Sequence, residues 1–225
     1  MNRKYFKILL LVAIIVLNAG FISAQKIVDK NEPLDEMGIF GIRTETGYLI
    51  IVNREKNSYS IELKGQEFKP LKSSHPVFIV DGKLIQVVSV PNENFWTAKP
   101  NAKTEPTEEE YLESHKVWES DYLGEQLKAK LSLTSETFDL SSKRKVMFWS
   151  FPMPKELGAD YSHQVFLTTV IDKDILGLNA SPKSASEQKF YRDYLVEAMN
   201  TLKISQKPFN IKELQQLLQK GKDAE

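Results

Sequence analysis

The stretch VFIVDGKLI, residues 77–85, decides the fold of this 225-residue chain. Asp81 and Gly82 lie between two runs of apolar, β-rich residues, and this dipeptide supplies the positive φ angles that a type I′ turn requires. The sequence therefore predicts a β-hairpin whose second arm reaches about Val90. Both arms are apolar on both faces, so we expect helices to cover at least part of the hairpin.

The residues before this hairpin predict a meander of three strands. Apolar or alternating runs cover Ile39–Thr44, Tyr48–Asn53 and Tyr59–Leu63, and short polar segments typical of turns separate them. Alternation of the kind seen in Tyr59–Leu63 is typical of a strand with one buried face.

The residues after the hairpin predict a long helix in the middle of the chain. Thr107 and Glu110 have the spacing of a capping box, in which each side chain accepts a hydrogen bond from the backbone of the other. The helix is predicted to run to about Lys130. A polar stretch, Ser132–Ser142, follows, for which neither helix nor strand is predicted.

The last third predicts further strands and two helices. Strands are expected at Val146–Phe151 and Val165–Ile171, with a shorter one at Ile175–Leu178. A second capping box, Ser184 with Glu187, opens a helix to about Leu202 whose apolar side includes Phe190, and a final helix begins after Asn210. The predicted fold class is α+β, a mostly antiparallel sheet covered by a mid-chain helix and C-terminal helices. No repeat recurs at a fixed period, so residues 25–225 are predicted to form one domain.

The N-terminus predicts export. Arg3, Lys4 and Lys7 precede the apolar run Ile8–Leu17, which is shorter than the 20 or so residues that span a bilayer. A positive start, a short apolar run and a small residue before the break are the layout of a secretory signal peptide, here residues 1–24. We expect cleavage between Ala24 and Gln25 and a periplasmic or secreted protein. An uncleaved signal-anchor is the alternative.

Composition restricts the possible functions. Removal of the leader takes away three basic residues and leaves 27 basic against 30 acidic residues, whereas a nucleic-acid-binding protein normally has a clustered basic excess. The chain has no cysteine, and His75, His115 and His163 lie far apart in the sequence without metal-ligand spacing. We therefore predict no metal, no cofactor, no nucleic-acid partner, and contact with a membrane only through the leader during export.

The segment Pro91–Pro106 contains the first candidate site. It has three prolines and no regular pattern, and connections of such length are uncommon unless they are functional or disordered. Phe95 and Trp96 are adjacent within it, and we expect one ring to anchor the segment in the core. The other ring would then be exposed and available to a ligand, a glycan or a partner.

The mid-chain helix contains the second candidate site. Tyr111, His115, Trp118 and Tyr122 recur at spacings of four, three and four, so they share one helix face. His115 is either a desolvated base in a ligand cup or a half-buried residue of a core-facing stripe. No nucleophile or phosphate-loop motif accompanies it.

The last third also resembles a known group of proteins. The segment HQVFLTTVIDKDILGLNASPKSASEQKFYRDYLVEAMNTLKI, residues 163–204, reads as strand, short strand and capped helix. This pattern is similar to the C-terminal end of the PsbP and Mog1-like group, whose members are mostly accessory or assembly proteins. The resemblance implies a binding role for an exported domain. We therefore expect an exported, non-enzymatic protein that binds a protein or small ligand or assists envelope assembly. A small hydrolase with a site around His115 is the alternative.

Overall fold

The computed structural model describes residues 37–71, 76–96, 105–154 and 161–222, and their contacts group them into two units. The first unit contains the described residues between 85 and 196, and the second contains those in 37–84 and 197–222. The predicted signal peptide lies outside the described residues. The division into two units rests on contacts and does not test whether both units fold as one domain. The single domain over residues 25–225 therefore stays a prediction.

The predicted hairpin turn is confirmed. Asp81 and Gly82 have φ angles of 47° and 74°, as a type I′ turn requires. Strand β5 (Val77–Val80) ends directly before this turn, and strand β6 (Lys83–Val90) begins directly after it.

The second unit is built on the predicted meander. Strands β1 (Gly38–Arg43), β2 (Gly47–Asn53) and β3 (Ser58–Lys64) pair in order and antiparallel, and the short strand β11 (Lys203–Ser205) pairs with β3. Strand β4 (Phe68–Leu71), which the sequence did not predict, pairs antiparallel with β5.

The C-terminal helix of this unit packs on the meander. The helix spans Ile211–Lys222 and is α3 in chain order. Its first residue, Ile211, is buried in a cluster with Phe40, Ile42 and Ile51. Two hydrogen bonds between the Asn53 side chain and the backbone of Phe209, of 3.0 and 2.8 Å, hold the segment before the helix.

The first unit has a five-stranded antiparallel sheet. The strands lie in the order β6-β10-β9-β8-β7, and the four that follow β6 in the chain are β7 (Thr134–Asp139), β8 (Lys145–Pro152), β9 (His163–Ile171) and β10 (Asp174–Ala180). Strand β7 lies in the polar stretch for which the sequence predicted neither helix nor strand.

Helix α1 (Glu108–Leu127) covers one face of this sheet, over β8, β9 and β10. It begins at the predicted capping box, since the Glu110 amide donates to Thr107 Oγ1 and the Thr107 amide donates to Glu110 Oε2. It ends at Leu127, slightly earlier than predicted, because Lys128 adopts the left-handed conformation. Beneath it, Trp149 and Phe166 stack at 3.8 Å in the main hydrophobic core.

Helix α2 (Gln188–Asn200) begins at the opposite face of the same sheet, where the Ser150 hydroxyl donates to Gln188 Oε1 at 3.3 Å; Ser150 alternates with the core residue Trp149 along β8. The predicted capping box of Ser184 and Glu187 precedes it. Arg192 forms an ion pair with Glu136, and its guanidinium lies 4.6 Å from the centroid of the Phe138 ring. The sheet of the first unit is therefore covered on both sides, and the predicted fold class is confirmed: α+β, with mostly antiparallel sheets covered by helices. No helix in the described ranges is both long and apolar enough to cross a bilayer.

Candidate functional site

The Phe95–Trp96 segment is fixed to helix α1 by hydrogen bonds and by ring contacts. A short 3-10 turn, Asn92–Asn94, leads into it, and the Trp96 amide donates to the Asn92 carbonyl at 2.8 Å. The Ser114 hydroxyl donates to the Phe95 carbonyl at 2.8 Å. Phe95 is only 7% exposed and meets the rings of Tyr111 and His115 edge-on. The prediction that one ring anchors this segment is confirmed, and Phe95 is the anchor.

Trp96 and Trp118 are half-buried and lie on the same side of helix α1. The Trp96 ring is tilted against Tyr111, with centroids 5.0 Å apart, and Trp118 is stacked on Tyr122 at 6.3 Å. Both tryptophans pack against the main core and keep part of their surface in contact with solvent. The expectation that the second ring is exposed is therefore met only in part.

These residues line an open groove that we call the Trp96 groove. Its cavity volume is about 500 Å³, and its described lining is Phe95, Trp96, Glu110, Glu113, Ser114, Val117 and Trp118. Most of the lining is apolar or aromatic. Val117, at 48% exposed, adds an accessible aliphatic side chain next to the half-buried Trp118.

The charged residues in the described lining of the Trp96 groove are acidic. Glu113 forms a 2.6 Å ion pair with Lys116, whose ammonium also donates to Ser135 Oγ at 3.2 Å. Glu110 accepts the capping hydrogen bonds from Thr107. The groove thus combines aromatic walls with carboxylates, which favours ligands that are apolar and positively charged.

His115 lies in the protein interior behind this groove. It is 4% exposed, and neither of its ring nitrogens has a hydrogen-bond partner in the described structure. Burial lowers the pKa of His115 to about 3, so the imidazole is neutral at physiological pH. It is not part of the described lining of the groove. A general base needs a hydrogen-bonded path to its substrate, and within the described residues the His115 ring nitrogens have no hydrogen-bond partner that could begin one.

Glu119 is a buried titratable residue that the sequence analysis did not identify. It lies one helical turn after His115 and is 5% exposed. Burial raises the pKa of Glu119 to about 8, which keeps the carboxyl group protonated at neutral pH. Burial and the nearby charge of ionised Glu119 also raise the pKa of Tyr122. His115 and Glu119 are therefore both neutral at physiological pH and are not hydrogen-bonded to each other.

A second polar pair lies at the start of β9. The Ser162 hydroxyl is 2.9 Å from His163 Nδ1, and burial lowers the pKa of His163. Within the described ranges no carboxylate orients this imidazole, so the pair lacks the third member of a catalytic triad. In the same ranges no three histidine, aspartate or glutamate side chains come together as a metal site would require.

The structure thus brings together four of the five predicted site residues: Phe95, Trp96 and Trp118 in the groove, and His115 behind it. Tyr122 is stacked on Trp118 outside the described lining. Sequence analysis missed Glu110, Glu113, Ser114 and Val117 as groove residues. All four lie on the same helix as Trp118, but only the folded segment at Phe95 turns that helix surface into a groove.

Comparison with known proteins gives a result at the level of the fold. No protein family matches the sequence, and no curated protein matches it. Among solved structures, the chain is similar to cyanobacterial PsbP (CyanoP) from Synechocystis sp. PCC 6803, with a TM-score of 0.43 and 9% sequence identity. The similarity covers 65% of this chain and 86% of that chain. The predicted resemblance to PsbP is confirmed for the fold alone.

Proposed function

We propose that this protein is exported and acts as a non-enzymatic accessory protein that holds a partner protein in the Trp96 groove. One observation carries the proposal: two half-buried tryptophans and the 48% exposed Val117 line the same open groove. Tryptophan is enriched at the energetic centres of protein interfaces. The unpartnered, neutral His115 supports a non-enzymatic role, because it offers no acid–base pair.

Export is proposed from the N-terminal sequence, and its test is the mass of the exported protein. We expect material from the periplasm or medium to begin at Gln25, because the layout of residues 1–24 is that of a cleaved signal peptide. Ile14→Arg places a charge in the apolar run and is expected to leave the full-length chain inside the cell. Exported protein that retains Met1 would contradict the proposed cleavage.

Partner binding is tested by photocrosslinking in intact cells. A benzophenone amino acid is placed at Val117, in the groove, or at Leu217, which is 58% exposed on helix α3 and serves as the matched control. We expect a discrete crosslinked product from position 117 and none of the same mass from position 217, since only the first position lies in the groove. The absence of a product at 117, or the same product from both positions, would contradict a role for the groove.

A further inference from the structure

The walls of the Trp96 groove have the chemistry that binds organic cations. Tryptophan has the aromatic face to which cations bind best. In the described part of the chain, arginine side chains lie over Tyr48, Tyr59 and Phe138, at 4.6, 5.5 and 4.6 Å from the ring centroids. No basic side chain of that part lies over Trp96 or Trp118. Within the described residues, the two tryptophans of the groove therefore have no cation of the chain itself over their rings.

The charges at the groove complement the same class of ligand. Glu110 and Glu113 are in the described lining, which contains no basic residue. Lys116, the basic partner of Glu113, has a side chain that is only 11% exposed, while that of Glu113 is 53% exposed. The carboxylate of this pair is thus the member that faces solvent, so it can attract a second cation to the groove.

The shape of the groove indicates that the cation belongs to a larger molecule. Pockets for small ligands usually enclose most of the ligand surface. Here the groove is open, and its walls include two half-buried tryptophan rings and the exposed Val117. A ligand that uses the whole surface needs a positive group for the tryptophans and an apolar group beside it. A peptide segment with a basic residue next to an apolar residue has both.

We propose that the Trp96 groove binds an arginine or lysine side chain of a partner polypeptide, together with an adjacent apolar residue of that partner. This inference rests on the proposed function and names what the partner contributes. The cation lies against Trp96 and Trp118 near the carboxylates, and the apolar neighbour packs on Val117.

The test uses the three tryptophans of the chain as reporters. Their indole N–H signals in ¹⁵N-labelled protein are assigned with Trp96→Phe and Trp118→Phe. Addition of N-acetyl-arginine methylamide is expected to shift the Trp96 and Trp118 signals, while that of the fully buried Trp149 stays in place. The citrulline analogue has the same shape without the charge and is expected to shift the two signals less than a tenth as far. An equal shift with citrulline, or no shift with arginine, would overturn the cation assignment.

A peptide distinguishes a polypeptide partner from a free organic cation. An acetylated and amidated hexapeptide that alternates arginine and leucine is expected to bind about tenfold more tightly than the single amide, since it adds apolar contact. Equal affinity would overturn the polypeptide source and leave a small-cation site. Glu113→Gln is expected to weaken the peptide about threefold, as loss of an exposed charge pair does. Glu136→Gln is the matched control, because Glu136 is also about half exposed and ion-paired, and it should leave affinity unchanged.

The two proposals fail in different ways. A crosslinked product at position 117 together with no binding of the arginine peptide would retain the proposed function and overturn the cation inference. Binding of the arginine peptide without any crosslinked partner would retain the chemistry of the groove and overturn its use by a partner in the cell.

Discussion

The free energy of unfolding of the wild-type protein is expected to fall strongly between about pH 4.5 and 8. Replacement of Glu119 by glutamine is expected to abolish this fall. The unfolded chain releases the Glu119 proton near pH 4.5, whereas burial holds the pKa of the folded state at about 8. Between these values the folded state binds more protons than the unfolded state, so the free energy of unfolding falls as the pH rises. One pKa unit corresponds to about 1.4 kcal/mol, so the full loss is on the order of 5 kcal/mol.

The measurement is the free energy of unfolding of wild type and Glu119→Gln, obtained by denaturant titration at several pH values from 4 to 9. The difference between the two proteins removes the contribution of every other titrating group. We expect the free energy of unfolding of the variant, relative to that of the wild type, to rise steadily from pH 5 upward and to level off above pH 8. A difference that does not change with pH would show that the carboxyl group is not buried as described.

His115 provides the control for this prediction, because its linkage has the opposite sign. Burial lowers the pKa of His115 to about 3, so between pH 3 and 6.5 the unfolded state binds more protons and stability rises with pH. The free energy of unfolding of His115→Gln, relative to that of the wild type, should therefore rise only as the pH falls below 6.5. The two linkages have opposite signs and overlap between pH 4.5 and 6.5, so the Glu119 effect acts alone above pH 6.5 and the His115 effect acts alone below pH 4.5. This separates both effects from a general change in stability.

The sequence predicted those parts of the fold whose signals are local. The Asp81–Gly82 turn and both capping boxes depend on residues within three or four positions of one another. The edge strand β7 was missed because its Thr-Ser-Glu-Thr-Phe-Asp sequence is polar and mostly exposed. Pairing with β8 holds it, for example Phe138 opposite Val146, and such a contact is not visible in a short window of sequence.

The short strand β11 and residue Phe190 show the same limit. The sequence predicted no strand at Lys203–Ser205, directly after the helix expected to end near Leu202, but Ile204 pairs with Tyr59 of a strand far earlier in the chain. The prediction of Phe190 on the apolar side of helix α2 is wrong, since this ring is 50% exposed and stacks on Tyr194. Helical spacing gives the angle of a side chain around its helix, while the neighbouring elements decide how much of that angle is covered.

The sequence predicted the aromatic residues of the candidate site and missed its acidic residues. Spacing placed His115 and Trp118 on one face of helix α1, and the structure confirms that their rings are neighbours. Glu119 belongs to the same buried layer, but a carboxyl group is so rarely buried that sequence reasoning assigns it to solvent. Its position four residues after His115 was the available signal.

Trp149→Ala is expected to cause the other large loss of stability, about 3–5 kcal/mol, as other removals of large buried side chains do. Trp149 has no exposed surface, and its ring stacks on Phe166 at 3.8 Å with an angle of 3° between the planes. The core beneath helix α1 is built around this pair, so an alanine leaves a cavity that neighbouring side chains cannot fill.

Trp149→Phe separates packing from hydrogen bonding at the same position. The phenylalanine ring keeps the stack on Phe166 and removes the indole N–H, a buried donor without a partner in the described structure. An unsatisfied buried donor costs about 1–3 kcal/mol, which offsets the loss of ring volume. We therefore expect Trp149→Phe to stay within about 1 kcal/mol of wild type in denaturant titration, well above the alanine variant. If both variants lost the same free energy, the indole N–H would be a stabilising group and the core would have to contain an acceptor for it.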